Sequence, residues 1–364
     1  MSPEDQDMDA SPNAANMDLV VEDIGLPSSL HILGKISQGG IGAVFRAEHA
    51  VTRAQLAVKV LLPQLAAVER HRKRFIQEAR TIRSLSDPHI VAVHDCGYSE
   101  SGLPYMVMDY IDGITLDQML SQRTVSVEEA LDIFIQTAEA VGHAHKKGII
   151  HRDLKPSNIM LCRQANDRYF VKVLDFGIAK ITEDANVNTL VNLTATGELL
   201  GTPSYMSPEQ SLGLPVDHRS DIYSLGCVMC HTLTGKPPFT AGSALQLLAK
   251  QTIDRAPEIK KLRPDLNLPN GLDKIVERTL EKKPADRYAS MEDLSSDLGK
   301  VKEGVSIPVR LTGSQKQYLR FIVNLVVWFS VFYFAGRLLP GAIGYIQSHM
   351  GSHSEMETQT SPTP

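Results

Sequence analysis

The chain has 364 residues, of which 43% are hydrophobic and 22% are charged, and its formal net charge is -5. This composition excludes a disordered protein and allows one large globular domain or two ordinary ones. It also argues against nucleic acid as a partner, because the one basic run, Arg70 to Arg74, has the pattern of a solvated start of an amphipathic helix. Four cysteines without a signal-peptide pattern predict a reducing cytoplasm.

The chain begins with a polar segment and continues into two halves of different periodicity. Residues 1–29 contain acids but no Lys or Arg, which predicts a disordered acidic N-terminal tail that acts as a spacer or docks partners. Strand-like runs such as GAVFRAEH, LAVKVL and PYMVMDY follow up to residue 111, with one helical stretch from about Val68 to Ser86. From 112 to 299 apolar residues recur at three and four, as in VEEALDIFIQTAEAVGHAHKKG. The pattern predicts two lobes.

A glycine-rich stretch, SQGGIGAV, lies between the first two strand-like runs. Glycines there let a hairpin approach a phosphate closely, although many such hairpins are only turns. The next run, LAVKVL, contains Lys59, which is expensive to bury without a phosphate or a carboxylate nearby. Glu78, on the helical stretch, is a candidate partner; the alternative is a surface pair of little energetic value.

The stretch HRDLKPSN, His151 to Asn158, and the DFG at residues 175–177 complete an ordered set of motifs. With them the sequence resembles the protein kinases, and specifically bacterial membrane-anchored serine/threonine kinases of the eukaryotic-like type. The resemblance covers roughly residues 30–299. It implies an α+β bilobal protein-kinase fold, with a small antiparallel β-sheet lobe carrying one helix (30–111) and a large helical lobe (112–299).

The resemblance also implies roles for individual residues. Asp153 would accept the proton of the attacking hydroxyl, although an aspartate there can also simply cap a turn. Asn158 and Asp175 would bind Mg²⁺, or Mn²⁺ in its place. The implied catalytic residues are Lys59, Glu78, Asp153, Lys155 and Asn158. The implied ATP contacts, some of which could instead be plain core, are Ile36, Ser37, Gly39, Gly40, Gly42, Val44, Ala57, Lys59, Met108, Asp109, Ile111, Met160 and Asp175.

Two positions depart from the family pattern, and neither removes a catalytic group. Ser37 takes the place of the first loop glycine, and Ser207 replaces alanine in Ala-Pro-Glu. Lys155-Pro156 and the stretch GTPSY resemble the serine/threonine branch. We therefore expect an ATP-dependent kinase that phosphorylates Ser and Thr of protein substrates. The alternative is a catalytically silent kinase-fold scaffold that docks partners at the membrane.

The loop after DFG contains TATGELLGT, which resembles the phosphorylated segment of bacterial membrane kinases. Arg152, beside the catalytic aspartate, is of the kind that awaits a phosphate on this loop. We expect autophosphorylation at Thr194, Thr196 or both, in trans within a homodimer. The alternative is that these threonines are exposed loop residues without a regulatory role.

The most apolar stretch of the chain runs from Leu319 to Leu339. At about 1.5 Å per residue it would cross a hydrocarbon core of about 30 Å as a single transmembrane helix. Five basic residues lie between 300 and 320, and none follows Arg337. The positive-inside rule then predicts a juxtamembrane segment at 300–318, a cytoplasmic kinase domain at the inner or plasma membrane, and an extracytoplasmic tail at 340–364. The alternative is an interfacial or partner-binding helix.

The stretch CVMCH, Cys227 to His231, has the spacing of covalent haem attachment. In kinases, however, it falls on a buried helix of the large lobe, where cysteines behave as small hydrophobes. We therefore expect core packing and no haem. By the same resemblance Asp221 would hold the catalytic loop, and Glu209 would pair with Arg287.

Overall fold

The computed structural model describes Leu19 and residues 24–176, 203–306 and 320–333. The chain divides into two compact units, residues 1–308 and residues 309–364. The first unit contains both lobes. It also contains the candidate catalytic, ATP-binding and metal-binding residues, from Ile36 to Asp175.

Short apolar runs form an antiparallel five-stranded sheet in the small lobe, in which the strands Gln55–Leu61 and Pro104–Asp109 are buried along most of their length. The strand order is β1-β2-β3-β5-β4. The strands are β1 Leu30–Gln38, β2 Gly42–His49, β3 Gln55–Leu61, β4 Val93–Tyr98 and β5 Pro104–Asp109. Three of them coincide with the runs that predicted strands.

The register of this sheet brings several predicted ATP contacts together. Lys59 pairs with Val44 on one side, and Ala57 pairs with Met108 on the other. Because side chains alternate between faces and directly opposed residues share a face, these four side chains lie on one face of the sheet. The sheet thus presents a lysine beside an apolar surface.

Several helices begin where a side chain can cap them. The long helix of the large lobe starts with a capping box between Ser126 and Glu129, and the preceding helix with one between Thr115 and Gln118. The helices of the first unit are Pro63–Ala66, Glu69–Arg83, Leu116–Gln122, Val127–Lys146, Pro208–Ser211, Arg219–Thr234, Ala244–Ile253, Ile259–Leu262, Leu272–Thr279 and Met291–Lys302, with 3₁₀ turns at Pro156–Asn158, Pro203–Tyr205 and Pro284–Asp286. The small lobe therefore carries a short helix, Pro63–Ala66, besides the predicted one.

A second sheet interrupts the region that periodicity predicted to be helical. Its antiparallel strands, in the order β6-β7-β8, are β6 Ile114–Thr115, β7 Ile159–Arg163 and β8 Tyr169–Val173. Runs this short carry little period, which is why the sequence pattern missed them. The β7–β8 hairpin connects the catalytic loop to the DFG segment.

The structure also describes residues 24–29 and Leu19 of the segment that was predicted to be an N-terminal tail. Ile24 is fully buried and Leu19 is 7% exposed, and both belong to the hydrophobic core. The Ile24 carbonyl accepts a hydrogen bond from Ser101 Oγ at 2.8 Å, and the Gly25 carbonyl accepts one from the Glu100 N–H at 2.8 Å. Leu19 and Ile24, two apolar residues of an otherwise polar and acidic segment, are thus part of the core. At the other end of the first unit, helix Met291–Lys302 continues past residue 299.

The second unit has a helix at residues 320–333, within the predicted membrane-spanning stretch. Large apolar side chains are exposed along it, among them Phe321, Trp328 and Phe332. Within the described ranges, no helix has both the length and the apolar character needed to cross a membrane. The remainder of the 319–339 stretch lies outside these ranges.

Candidate active site

The site is built around an ion pair between the two lobes. Lys59 Nζ, on β3, lies 2.8 Å from Asp175 Oδ2, two residues after β8. Lys59 is 7% exposed, so a carboxylate partner is needed to keep its charge inside the protein. Burial on its own raises the pKa of Asp175, but the nearby Lys59 ammonium outweighs it, and the pKa lies below its ordinary value.

The predicted pair between Lys59 and Glu78 is not formed; this is a correction to the sequence-based prediction. Glu78 lies on helix Glu69–Arg83, as expected, and is half-buried. Among the ion pairs between described residues, that of Lys59 is with Asp175. The motif set assigned Glu78 to the lysine and Asp175 to a metal ion, and the contact between Lys59 and Asp175 was not predicted.

The catalytic loop presents the second cluster. Lys155 Nζ lies 2.7 Å from Asp153 Oδ2. Asn158 Nδ2 donates to the Asp153 carbonyl at 2.8 Å and to its Oδ2 at 3.3 Å. Both contacts to the Asp153 carboxylate fall on Oδ2, so Oδ1 is the candidate acceptor for a proton. Asp153 is about one third exposed, at 35% of its side chain, and is therefore accessible to a substrate.

A buried carboxylate holds the backbone of this loop. Asp221 is 0% exposed and accepts hydrogen bonds from the N–H groups of His151 and Arg152, each at 2.8 Å, and from His145 Nε2 at 2.7 Å. Burial alone raises the pKa of Asp221, but the hydrogen bond from His145 and the other donors outweigh it and lower the pKa. The predicted role of Asp221 is confirmed; the contribution of His145 was not predicted.

His151 connects the catalytic loop to the DFG segment. Its Nε2 donates to the Leu174 carbonyl at 2.8 Å, and its Nδ1 accepts from the Asp153 N–H at 3.3 Å. The Leu174 N–H in turn donates to the Asn158 carbonyl at 2.9 Å. These bonds bring Asn158 and Asp175, the two predicted metal ligands, to adjacent ends of one small sheet.

The chemistry of these two side chains fits Mg²⁺. Because Asn158 directs its amide nitrogen at Asp153, its amide oxygen is the atom left to bind a metal. Asp175 contributes a carboxylate that is 30% exposed and whose pKa favours the ionised form. Oxygen ligands of this kind suit Mg²⁺, which keeps waters and substrate phosphate in its shell.

The glycines of the predicted phosphate loop have different roles. A Cβ on Gly42 would lie 2.5 Å from the Val60 carbonyl oxygen, so close packing against β3 requires glycine there. A Cβ on Gly39 would meet nothing within 4 Å. Gly39 closes the hairpin by donating to the Gly42 carbonyl at 2.9 Å, and Ser37 and Gly40 are exposed beside it. The loop is therefore open on the side where a ligand would approach.

The predicted purine contacts are distributed around the lobe boundary. Met108 is 8% exposed, and Ile36 is 50% exposed on β1. The Asp109 N–H already donates to the Ala92 carbonyl at 3.0 Å, so only the Asp109 carbonyl remains a candidate for adenine. Ile111 is half-buried beyond β5, and Met160 is half-buried on β7.

The predicted pair below the catalytic loop is present. Arg287 Nη1 and Nη2 donate to the two oxygens of Glu209 at 2.7 and 2.8 Å, and both residues are at least 95% buried. Burial on its own raises the pKa of Glu209, but Arg287 outweighs it and lowers the pKa. Ser207, the departure from alanine, caps helix Pro208–Ser211.

The CVMCH residues lie on helix Arg219–Thr234, where Cys227 and Cys230 are 0% exposed. His231 Nδ1 lies 2.7 Å from the Tyr205 hydroxyl. Both observations support core packing. The predicted phosphorylation sites, Thr194 and Thr196, lie outside the described residues.

Comparisons with known proteins agree with this site. A family model described as protein kinase domain matches residues 30–298. The chain is 39% identical over 264 residues to serine/threonine-protein kinase pkn3 of Myxococcus xanthus, covering 72% of this chain and 48% of that one. It is 38% identical over 282 residues to serine/threonine-protein kinase PknB of Mycobacterium tuberculosis (strain ATCC 25618 / H37Rv), covering 76% and 44%.

A solved structure is also similar. The crystal structure of the Mycobacterium tuberculosis PknI kinase domain matches with a TM-score of 0.59 and 29% identity, covering 76% of this chain and 98% of that one. The chain spans less than half the length of the two curated relatives. The resemblance to bacterial serine/threonine protein kinases that was inferred from HRDLKPSN and DFG is confirmed.

Proposed function

Because the chain belongs to the protein kinase family, we propose that it transfers the γ-phosphate of ATP to serine and threonine hydroxyls of protein substrates. The observation that carries this proposal is the assembly of two clusters at one edge of the β7–β8 hairpin: Lys59 with Asp175, and Lys155 with Asp153 and Asn158. A kinase needs such a set because phosphoryl transfer depends on alignment and on neutralisation of phosphate charge.

In this mechanism Lys59 contacts the α- and β-phosphates, and Asp153 accepts the proton of the substrate hydroxyl on Oδ1. Lys155, already 2.7 Å from Asp153, neutralises charge on the transferring phosphate. Asn158 and Asp175 would hold Mg²⁺, which when bound would supply positive charge to neutralise the phosphate oxygens of ATP. Backbone N–H groups of the glycine-rich loop would lie over the phosphates.

The test is phosphate transfer from labelled ATP with Mg²⁺ by the full chain in detergent, beside Asp153→Asn and Lys59→Met. We expect label on Ser or Thr of the wild type or of a generic protein substrate, and none with either variant. Nucleotide binding without transfer under all conditions would overturn the proposal and favour the scaffold alternative, since binding needs the phosphate contacts but not Asp153.

Regulation by the loop after DFG is part of the proposal. We expect the kinase to phosphorylate Thr194, Thr196 or both, in trans within a homodimer, and Arg152 beside Asp153 to receive the phosphate. Label on Asp153→Asn that has been mixed with the wild type would support transfer in trans. The variants Thr194→Ala and Thr196→Ala should lose loop phosphopeptides, whereas Thr189→Ala, a matched control, should keep them. An active enzyme unmodified at both positions would contradict this step.

We further propose that residues 319–339 anchor the protein in a membrane, with the kinase domain in the cytoplasm. The support is the exposed apolar surface of the helix at 320–333 and the basic residues that precede it. A helix that is apolar on all sides needs a lipid or protein environment. Membranes from cells that express the full chain should retain it after carbonate and after high salt. Release by either treatment would contradict a span and favour an interfacial helix.

A further inference from the structure

The side chain of Gln210 connects the end of the loop that follows DFG to the catalytic loop. Its Nε2 donates to the Arg152 carbonyl at 2.7 Å. Gln210 lies in the short helix Pro208–Ser211, directly after Glu209, whereas Arg152 directly precedes Asp153. The contact therefore joins two segments that are 58 residues apart in sequence.

The backbone at Arg152 is in a conformation that needs support. Its φ is 66°, in the left-handed region, which is unfavourable for a residue with a side chain. The Arg152 N–H is held by Asp221 Oδ1 at 2.8 Å. Its carbonyl, on the other side of the Cα, is held by Gln210. Both peptide groups that flank the strained position thus have a side-chain partner.

The carbonyl held by Gln210 belongs to the same rigid peptide plane as the Asp153 N–H. That N–H donates to His151 Nδ1 at 3.3 Å, a long bond that fixes the plane only weakly. The direction in which the Asp153 side chain leaves the backbone depends on this plane. A rotation of the plane would move the carboxylate relative to Lys155 and Asn158.

Both ends of the Gln210 amide are in use. Its Oε1 accepts from the Ser207 N–H at 3.1 Å, while the Ser207 hydroxyl accepts from the Gln210 N–H at 3.3 Å. The oxygen completes the capping box and the nitrogen reaches Arg152. A glutamate could make the first contact but has no donor for the second, and at neutral pH it would direct a negative charge at a carbonyl.

We propose that Gln210 is a positioning residue for Asp153: by holding the Arg152 carbonyl it keeps the strained Arg152–Asp153 peptide in the orientation that aims the catalytic carboxylate. The inference rests on the proposed kinase activity. It assigns Gln210 no contact with substrate or nucleotide.

The experiment compares Gln210→Glu and Gln210→Met with Ser207→Ala in the full chain. The glutamate keeps the capping acceptor and loses the donor, and the methionine keeps the length of the side chain and loses both. Ser207→Ala removes the cap, keeps Gln210, and introduces the residue that the family usually carries. We expect both Gln210 variants to lower kcat by roughly 10- to 100-fold, with KM for ATP and ADP affinity within about twofold. Ser207→Ala should keep kcat within about twofold.

Wild-type kcat in both Gln210 variants, or an equal loss in Ser207→Ala, would overturn the inference. If the wild type itself transfers no phosphate, the proposed function fails, and crystal structures of the wild type and Gln210→Glu decide the inference separately. A left-handed Arg152 in both would overturn it; a rotated Arg152–Asp153 peptide in the variant alone would support it.

Discussion

Lys59 Nζ on the first sheet lies 2.8 Å from Asp175 Oδ2, beyond the last strand of the second sheet. This pair joins the nucleotide side of the small lobe to the predicted metal ligand of the large lobe. Glu78, the partner expected from the motif set, is not the one that Lys59 contacts in the described part of the chain. Lys59 and Asp175 thus support each other's charge before a nucleotide arrives.

The first prediction concerns Asp175→Asn. Asparagine is a neutral and weaker ligand for Mg²⁺. We therefore expect the gain in ADP affinity on adding Mg²⁺ to be at least about tenfold smaller in the variant than in the wild type. The measurement is calorimetric ADP binding with and without Mg²⁺. Asp153→Asn, a matched control that leaves Asp175 intact, should keep the Mg²⁺ effect. Equal Mg²⁺ effects in Asp175→Asn and the wild type would exclude Asp175 as a ligand.

The second prediction concerns the loop anchor Asp221. Asp221→Asn replaces one acceptor oxygen by an NH₂ group that must face a buried donor, which should lower the free energy of unfolding by about 1–3 kcal/mol. Urea unfolding measures the change. The control Asp217→Asn, at an exposed carboxylate that accepts from the Arg219 N–H at 2.8 Å, should change stability by no more than a few tenths of a kcal/mol. Similar effects of the two substitutions would refute the anchoring role.

The third prediction concerns Glu209 and Arg287. Glu209→Gln leaves a buried guanidinium without its carboxylate, so it should lower the free energy of unfolding by about 3–5 kcal/mol at pH 7. Because the folded pKa of Glu209 is lowered, this stabilisation is present above the unfolded pKa of about 4.3 and is lost as pH falls through the folded pKa. Urea unfolding at several pH values should show that the difference in unfolding free energy between the wild type and Glu209→Gln becomes smaller below about pH 4. Glu258→Gln, at an exposed pair with Lys261, should have no measurable effect.

The fourth prediction concerns Lys282, which donates to the Gln251 carbonyl at 2.8 Å and lies 4.2 Å from the Phe239 ring centroid. Burial lowers its pKa from 10.5 to about 8. Between these values the unfolded chain binds a proton that the native state lacks, so this residue makes stability rise with pH. The free energy of unfolding of the wild type should therefore rise relative to Lys282→Met from about pH 8 to 10.5. Lys274→Met, whose lysine has a raised pKa, should show no such difference below about pH 10.

The fifth prediction concerns the CVMCH thiols. Burial raises the pKa of Cys227 well above its ordinary value and that of Cys230 to about 11, and both side chains are fully buried. In the native protein a disulfide reagent should therefore modify Cys96 and Cys162, which are half-buried, and reach the other two only after unfolding. A Cys96→Ser/Cys162→Ser variant isolates the buried pair. Its rapid native modification, or a haem absorption band in the purified protein, would contradict core packing.

Much of the fold and of the site was predictable because it depends on local pattern. Short strand-like apolar runs predicted β2, β3 and β5, and the three-and-four recurrence of apolar residues predicted helix Val127–Lys146. The motif HRDLKPSN located Asp153 and Asn158, whose contact spans only five residues. Short strands such as β6 carry too few residues to show a period, and the sequence pattern missed them.

The sequence by itself determined which residues carry the chemistry, since motif order and spacing are properties of the chain. Only the tertiary structure decided their partners. Lys59 meets Asp175, Ile24 enters the core, and Gln210 reaches Arg152. Each of these contacts joins segments far apart in sequence, where the balance of burial, charge and hydrogen bonding depends on how helices and sheets pack. A local pattern can place a buried charge, but the fold selects the group that neutralises it.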